Sequence, residues 1–422
     1  MSSPSADASA SRAWPAALRA LRHRNFRFYF TGQAVSVLGS WIQQVALSWL
    51  IYRLTGSVAL LGVTTFAALL PMLFVGPLAG AWIDRHDKRL LLIVVQGLLA
   101  LQAGVLAVLT ALDAIGPTLI IAMSVVLGVL NAFDAPLRQS QIGSFVGDRD
   151  DLPNALALNA MVFNSGRFIG PPLAGLLLGF TSEAVCFALN ALSFAALAIG
   201  VARIRVAASP RARGSMGDVF REGLAYVWHE YPVRTLILIL ATVNITASSY
   251  AVLLPVFAKD VLGGDARMLG WLWGAAGAGA FAGTIFLATR KGLGGLVKVV
   301  VGGACLSAFG LLAFSYNRNL PVALAAMAAV GFGISVCNVG VNMLLQSTAP
   351  EQLRGRVVAF FSSTRFGFDA IGGLLAGLLA AQIGVRATML IEGLLLGLFF
   401  CWTLRIVARV RSELLQRVGD AR

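Results

Sequence analysis

The chain has 422 residues, of which 58% are apolar and only 12% charged, and its mean hydropathy is +0.81. A soluble domain carries about 25% charged residues, so this composition excludes an ordinary water-soluble enzyme and leaves room for roughly a dozen spans of about 20 residues. The net charge of +14 could suggest nucleic acid, but the basic residues sit in short segments between apolar runs, which argues against a nucleic-acid partner and makes them an orientation signal that also attracts anionic membrane lipids.

Residues 1–24 are predicted to form a cytoplasmic tail, since Met1 to Ala13 is rich in Ser and Ala and lacks the apolar core of a signal peptide. Apolar runs then predict spans at 28–53, 58–83, 89–111, 117–142, 153–180, 184–203, 234–258, 267–290, 295–315, 321–348, 353–381 and 385–406. Residues 25–203 make one six-helix bundle, 233–408 a second, and 409–422 another cytoplasmic tail. The connection 204–232 holds Met216, Val219, Phe220, Leu224, Val227 and Trp228 at helical spacing. It reads as an amphipathic helix on the membrane surface, the alternative being a flexible linker. With the start of the chain in the cytoplasm, 25 of the 33 Lys and Arg residues fall in cytoplasmic segments, five outside and three within spans. That bias puts both termini inside.

Between the second and third spans lies Gly80-Ala81-Trp82-Ile83-Asp84-Arg85-His86-Asp87-Lys88-Arg89. A dense charge cluster between two apolar runs must form a tight aqueous turn. The segment resembles the Gly-x-x-x-Asp-Arg-x-Gly-Arg-Arg loop of the major facilitator superfamily. The resemblance implies an all-α membrane fold of twelve helices in two pseudo-symmetric bundles, working as a monomeric secondary transporter. It also implies that Asp84 faces the start of the eleventh span, where Arg354 and Arg356 stand, and that Lys88 reaches Asp134. With Arg85, Arg89 and Arg138 these residues would form a cytoplasmic gating network, although the basic residues set topology in any case. Asp87 replaces the loop glycine of the pattern, which leaves the turn geometry open.

A charge at membrane depth is costly, about 2.5–3.5 kcal/mol on insertion scales, and is normally turned inward and functional. Asp134 and Arg138 in the fourth span, and Arg365 and Asp369 in the eleventh, are spaced i, i+4, so each pair can meet on one helical face. Arg167 lies in the fifth span and Glu392 in the twelfth. Gly170-Pro171-Pro172-Leu173-Ala174-Gly175 and Gly372-Gly373-Leu374-Leu375-Ala376-Gly377 are matching stretches of the two halves, which makes position 167 equivalent to 369. Arg167, Arg365 and Asp369 all fall near the midplane. Either Asp369 titrates during transport, held by the arginines, or the charges form a static pair locking the fifth and eleventh spans together.

Gly166, Gly170, Pro171, Pro172 and Gly175 in the fifth span are similar to the antiporter signature of the superfamily's drug exporters; the alternative is a generic kinked, closely packed helix. Asn131-Ala132-Phe133-Asp134-Ala135-Pro136 and Asp151-Leu152-Pro153-Asn154-Ala155-Leu156 look like the enterobactin-exporter and macrolide-efflux branch. The fold so implied puts Gln43, Gln44, Asn131, Asn244, Ser248, Asn338 and Asn342 in the central cavity, either as substrate contacts or as helix–helix hydrogen bonds. Cys186, Cys305, Cys337 and Cys401 fall within spans as apolar packing, and His23, His86 and His229 lie in cytoplasmic segments, so neither a metal nor another cofactor is expected. The expectation is a bacterial inner-membrane exporter, not an enzyme, exchanging protons for a small organic molecule such as a drug or siderophore. The alternatives are an uncoupled lipid or metabolite facilitator and a non-transporting membrane sensor.

Overall fold

The computed structural model describes residues 16–204, 230–290, 292, 295–350 and 354–420. Among the described residues, twelve long helices follow one another in the predicted order: α1 Arg24–Thr55, α2 Val58–Ile83, α3 Lys88–Ala111, α4 Pro117–Phe145, α5 Leu152–Phe180, α6 Glu183–Ala202, α7 Tyr231–Val261, α8 Ala266–Ala288, α9 Leu296–Ser315, α10 Leu320–Thr348, α11 Arg354–Ile383 and α12 Val385–Asp420. The predicted amphipathic helix of the middle connection lies outside the described residues. A short 3₁₀ helix, Ala16–Arg22, precedes α1.

Local sequence explains most boundaries. Pro117, Pro153, Pro232 and Pro321 each sit in a helix's first turn, where the missing N–H costs nothing. Ser57, Asp87 and Asp265 accept backbone hydrogen bonds at the starts of α2, α3 and α8. Gly384 turns the chain between α11 and α12 at a φ of 86°, a left-handed conformation that suits glycine. Large apolar residues are exposed on outer faces, Leu98, Leu101 and Val108 on α3 and Leu395 and Leu398 on α12 among them, as expected where the solvent is hydrocarbon.

Among the described residues, ten helices are long and apolar enough to cross a membrane. α5 is not one of the ten, being diluted by Asn154, Asn159, Asn164 and Arg167. The seventh span departs from expectation: its helix ends at Thr246, passes through a turn at residues 247–249, and resumes at Tyr250. Ser248 N–H there bonds Val243 O rather than the carbonyl of residue 244, so the regular ladder is broken.

The halves meet along two helix pairs, α2 with α11 and α5 with α8. Small residues allow the approach: a Cβ on Gly62 would stand 2.8 Å from Gly373 O, and one on Gly175 would stand 2.8 Å from Ala266 O. These contacts lie at one end of the bundle, called here the far face. The near face carries the starts of α1 and α7 and the Asp84 turn. Further along α2 toward the near face, a Cβ on Gly76 or Gly80 would meet nothing within 4 Å. Among the described residues, two hydrogen bonds join the halves, both at the far face: Tyr52 Oη to Asp260 Oδ2, and Arg267 Nη2 to Gly179 O at 3.1 Å.

Candidate functional site

A cavity of about 220 Å³ opens between the halves, walled mainly by α1, α2, α4 and α6 and closed by Ala251, Val252 and Trp273 of the second half. Among the described residues, no charged side chain lines it. Its apolar wall includes Leu47, Met72 and Phe194, and Trp273 meets Trp41 edge-on with ring centroids 5.9 Å apart. Its polar lining is neutral, with the hydroxyls of Ser40, Ser48, Thr64 and Thr65 beside the amides of Gln43, Gln44, Asn131 and Asn190. Gln43 is only 2% exposed and is fixed on both sides: its amide N–H donates to Gln102 Oε1 at 3.2 Å, and its carbonyl accepts from Asn190 at 2.7 Å. Gln44 and Asn131 also line the cavity, and both are left available to a ligand.

The cavity corrects part of the predicted set. Asn244, Ser248, Asn338 and Asn342 do not line it. Instead Ser248 donates to Asn244 Oδ1 at 3.3 Å, and Asn244 donates to Asn338 Oδ1 at 3.2 Å. This chain runs inside the second half and links the α7 break to α10. Asn342 accepts from Gln346, one turn away, at 3.0 Å. Sequence reading missed Gln102, Asn190 and Trp273. The signal for the two amides was present, as polar residues in the middle of apolar spans.

On the near-face side of the cavity the first half holds a buried charge network. Arg138 pairs with Asp134 at 2.7 Å, as their i, i+4 spacing predicts. The guanidinium also donates to Gln33 at 2.7 Å, Ser36 at 3.1 Å and Gln96 at 3.3 Å, while Gln96 donates to Asp134 at 2.5 Å. Each group thereby has several partners, which a buried ion pair requires.

Lys88 does not reach Asp134. It pairs with Asp84 at 2.7 Å, because both Asp134 oxygens are enclosed by Arg138 and Gln96. The side chains of Asp84's other predicted partners, Arg354 and Arg356, lie outside the described residues. Arg89 donates to the Val201 and Ala202 carbonyls at 3.2 and 2.7 Å and so caps α6, while Arg85 is exposed. Asp87 in the glycine position has φ −68° and caps α3; the turn needs no left-handed residue there.

The predicted Arg365–Asp369 pair is not in contact. Asp369 Oδ1 and Arg365 Nε are both buried without a hydrogen-bond partner. The Arg365 guanidinium lies over the Phe366 ring, 5.3 Å from its centroid. Asp369 is in reach of the Ser248 hydroxyl, and Arg365 and Arg167 both act on it electrostatically. These three charges converge without locking.

The α5 motif serves two interfaces. A Cβ on Gly166 would lie 2.4 Å from Val37 Cγ1 and one on Gly170 2.5 Å from Trp41 Cβ, so these glycines seat α5 on α1. Pro171 O, Pro172 and Gly175 face Gly270 and Gly274 of α8 across the halves.

Unpredicted contacts dock the segment before α1. Arg22 and His23 reach Asp151 at 2.7 and 2.8 Å, Arg19 also pairs with it, and Arg22 bonds Asp148 at 3.0 Å. Burial of the Asp151 carboxyl works to raise its pKa, but the His23 hydrogen bond and the charges of Arg22, Arg19 and His23 outweigh it and hold the value below the ordinary one.

Two bundles of six helices around a central cavity make the major facilitator fold. The chain belongs to the transmembrane secretion effector family of that superfamily, whose family model matches residues 15–415. It is 25% identical over 376 residues to the staphyloferrin A transporter of Staphylococcus aureus (strain NCTC 8325 / PS 47), covering 87% of this chain and 92% of that protein. It is 28% identical over 366 residues to the multidrug efflux pump Tap of Mycolicibacterium fortuitum, covering 83% and 88%, and 22% identical over 381 residues to macrolide efflux protein A of Streptococcus pyogenes, covering 88% and 93%. In fold it is similar to a bacterial homolog of the human lysosomal transporter Spinster, solved inward-facing and unoccupied, with TM-score 0.72, 12% identity and coverage of 93% and 98%. The family is one of transporters of small molecules, not of enzymes.

Proposed function

We propose that the protein exports an uncharged, amphiphilic small molecule across a bacterial inner membrane in exchange for protons. The observation that carries this reading is the cavity: apolar and aromatic walls, two available amides and no charge. Such a lining rewards apolar burial and a few hydrogen bonds and makes any strongly ionic cargo leave its hydration shell uncompensated. The names of the drug and macrolide efflux relatives support this class of cargo.

The near face is cytoplasmic on this reading, in keeping with its excess of Lys and Arg. The close helix pairs and hydrogen bonds of the far face then make the present arrangement outward-closed, and alternating access requires them to part while the near face closes. Asp84 would leave Lys88 for the start of α11 in that other state, where a helix N-terminus favours an anion. Asp369 is the proton-binding group, with Arg365 and Arg167 close enough to bias its charge but not bonded to it. The protein acts as a monomer in contact with membrane lipids.

The test uses purified protein in liposomes, with chloramphenicol, a neutral amphiphile, as probe and an imposed pH gradient. Movement of chloramphenicol against its own gradient, abolished when the pH gradient is collapsed and missing from protein-free liposomes, is expected. Equal movement with and without the gradient overturns the coupling, and no movement of any neutral amphiphile overturns the export reading.

A further inference from the structure

One donor in the wall of the cavity has no acceptor among the described residues. Trp273 of α8 closes the cavity from the second half and is 7% exposed, yet its indole Nε1 is buried with no hydrogen-bond partner. Aromatic contacts hold the ring instead. It meets Trp41 of α1 edge-on, and its centroid stands 6.3 Å from that of Tyr250 of α7. An indole N–H can only donate, and a buried donor without an acceptor is destabilising. A buried tryptophan normally finds one.

The two halves contribute unequally to the lining. Every hydroxyl and amide side chain of the cavity wall comes from the first half, and the second half lines it with Ala251, Val252 and Trp273. The backbone N–H groups of Ala251 and Val252 are already bonded, to Ser248 O at 3.3 Å and Ser249 O at 2.9 Å. Among the described residues, the Trp273 N–H is therefore the one donor with which the second half can bind a cargo. Trp273 also sits in the seam between the halves. Gly270 and Gly274, which flank it in the sequence, are α8 residues that pack on Pro171, Pro172 and Gly175 of α5.

We propose that Trp273 is the cargo-binding residue of the second half and a determinant of specificity, its indole N–H donating to a neutral acceptor oxygen of the cargo such as an amide, ester or lactone carbonyl. On the export reading, which this assignment rests on and deepens, the preferred cargo is an apolar body with a carbonyl on the side facing α8. Gln44 and Asn131 bind it from the first half. A modest rotation of the indole within the wall brings Nε1 to the lumen, where the carbonyl completes the bond that the protein alone leaves unmade. Cargo so bound touches both halves. When the far face parts, Trp273 leaves with α8 while the amides stay with α1 and α4, so the recognising bond breaks on the side of release.

Trp273→Phe keeps an aromatic wall and removes the donor. In proteoliposomes under a pH gradient it is expected to raise the KM for chloramphenicol, which carries an amide carbonyl, by about fivefold to tenfold, the weight of one hydrogen bond. With kcat near wild type, that is the pattern of lost binding. N-phenylnaphthylamine, a neutral amphiphile without a carbonyl, should keep its KM, a split that a merely loosened structure does not produce. The donor is also observed directly in wild-type protein labelled with nitrogen-15 tryptophan. The indole signal missing from Trp273→Phe is expected to move downfield as chloramphenicol is added; Trp273→Tyr supplies the assignment if Trp273→Phe does not fold. A chloramphenicol KM within about twofold of wild type, equal rises for both probes, or an indole signal unmoved up to the solubility limit of chloramphenicol overturns the proposal and leaves the export reading standing. Should the wild type move no neutral amphiphile, the export reading falls. The indole signal then decides the site alone: a shift supports it, and no shift overturns it.

Discussion

Gly175 and Gly270 stand backbone to backbone across the two halves: a Cβ on Gly175 would lie 3.0 Å from Gly270 Cα, and one on Gly270 would lie 2.9 Å from Gly175 Cα. Real Cβ atoms do not tolerate such distances to backbone, so only small residues permit the far face to close. Gly175→Val is expected to prop that face open, raising thiol labelling of a cysteine placed at the exposed Thr181 and lowering chloramphenicol transport by about tenfold or more. Tyr52→Phe removes one inter-half hydrogen bond without adding bulk and should act in the same direction more mildly, by about 1 kcal/mol. Unchanged labelling in both variants would mean that these contacts do not hold the face shut.

The Asp134–Arg138 network predicts an asymmetry. Arg138 has three hydrogen-bonding neighbours besides Asp134, namely Gln33, Ser36 and Gln96, and Asp134 alone matches its charge. Asp134→Leu leaves a buried guanidinium unpaired and is expected to cost about 3 kcal/mol or more, read as a large drop in melting temperature in detergent. The double variant Asp134→Leu/Arg138→Leu should recover part of that loss. If the double variant melts lower than the single one, the network matters for reasons other than charge pairing.

Gln43 and Gln44 are neighbours with opposite roles. Gln43 is bound on both sides by Gln102 and Asn190, while Gln44 faces the cavity. Gln43→Ala is expected to lower the melting temperature. Gln44→Ala and Asn131→Ala should leave it unchanged and raise the KM for a neutral amphiphile by about threefold to tenfold, the weight of one lost hydrogen bond. Transport assays beside thermal-shift measurements separate the two outcomes.

The Asp151 clamp carries a pH dependence of definite sign. Its folded-state pKa is lowered, so the stabilisation is complete above the ordinary carboxylate range and is lost as pH falls through the lowered value. Protease protection of the segment before α1 should therefore persist at neutral pH and fail only in strong acid. Asp151→Asn is expected to abolish both the protection at neutral pH and its acid transition. A variant that remains as protected as wild type would detach Asp151 from the clamp.

How far the sequence could be read differs from residue to residue. Asp134 and Arg138 were legible because a contact between i and i+4 depends on one helix alone. Arg365 and Asp369 have the same spacing and yet form no ion pair: Arg365 lies over the ring of its sequence neighbour Phe366, and Asp369 is buried with Oδ1 unbonded. Lys88 illustrates the complement, since a partner in another helix was expected and the local Asp84 won.

The number, order and approximate limits of the spans were set by the sequence, because transferring an apolar run of about 20 residues into hydrocarbon depends on composition along the chain and little else. So was the small-residue character of α5, whereas the cap that Asp87 places on α3 emerged only in the structure. Which amides meet across helices, which face of α11 Asp369 occupies, and where α7 breaks were decided only by packing. A helix apolar on every side carries no stripe in its sequence to say which face looks inward, and that rotation determines every contact between the Gln43, Gln102 and Asn190 side chains.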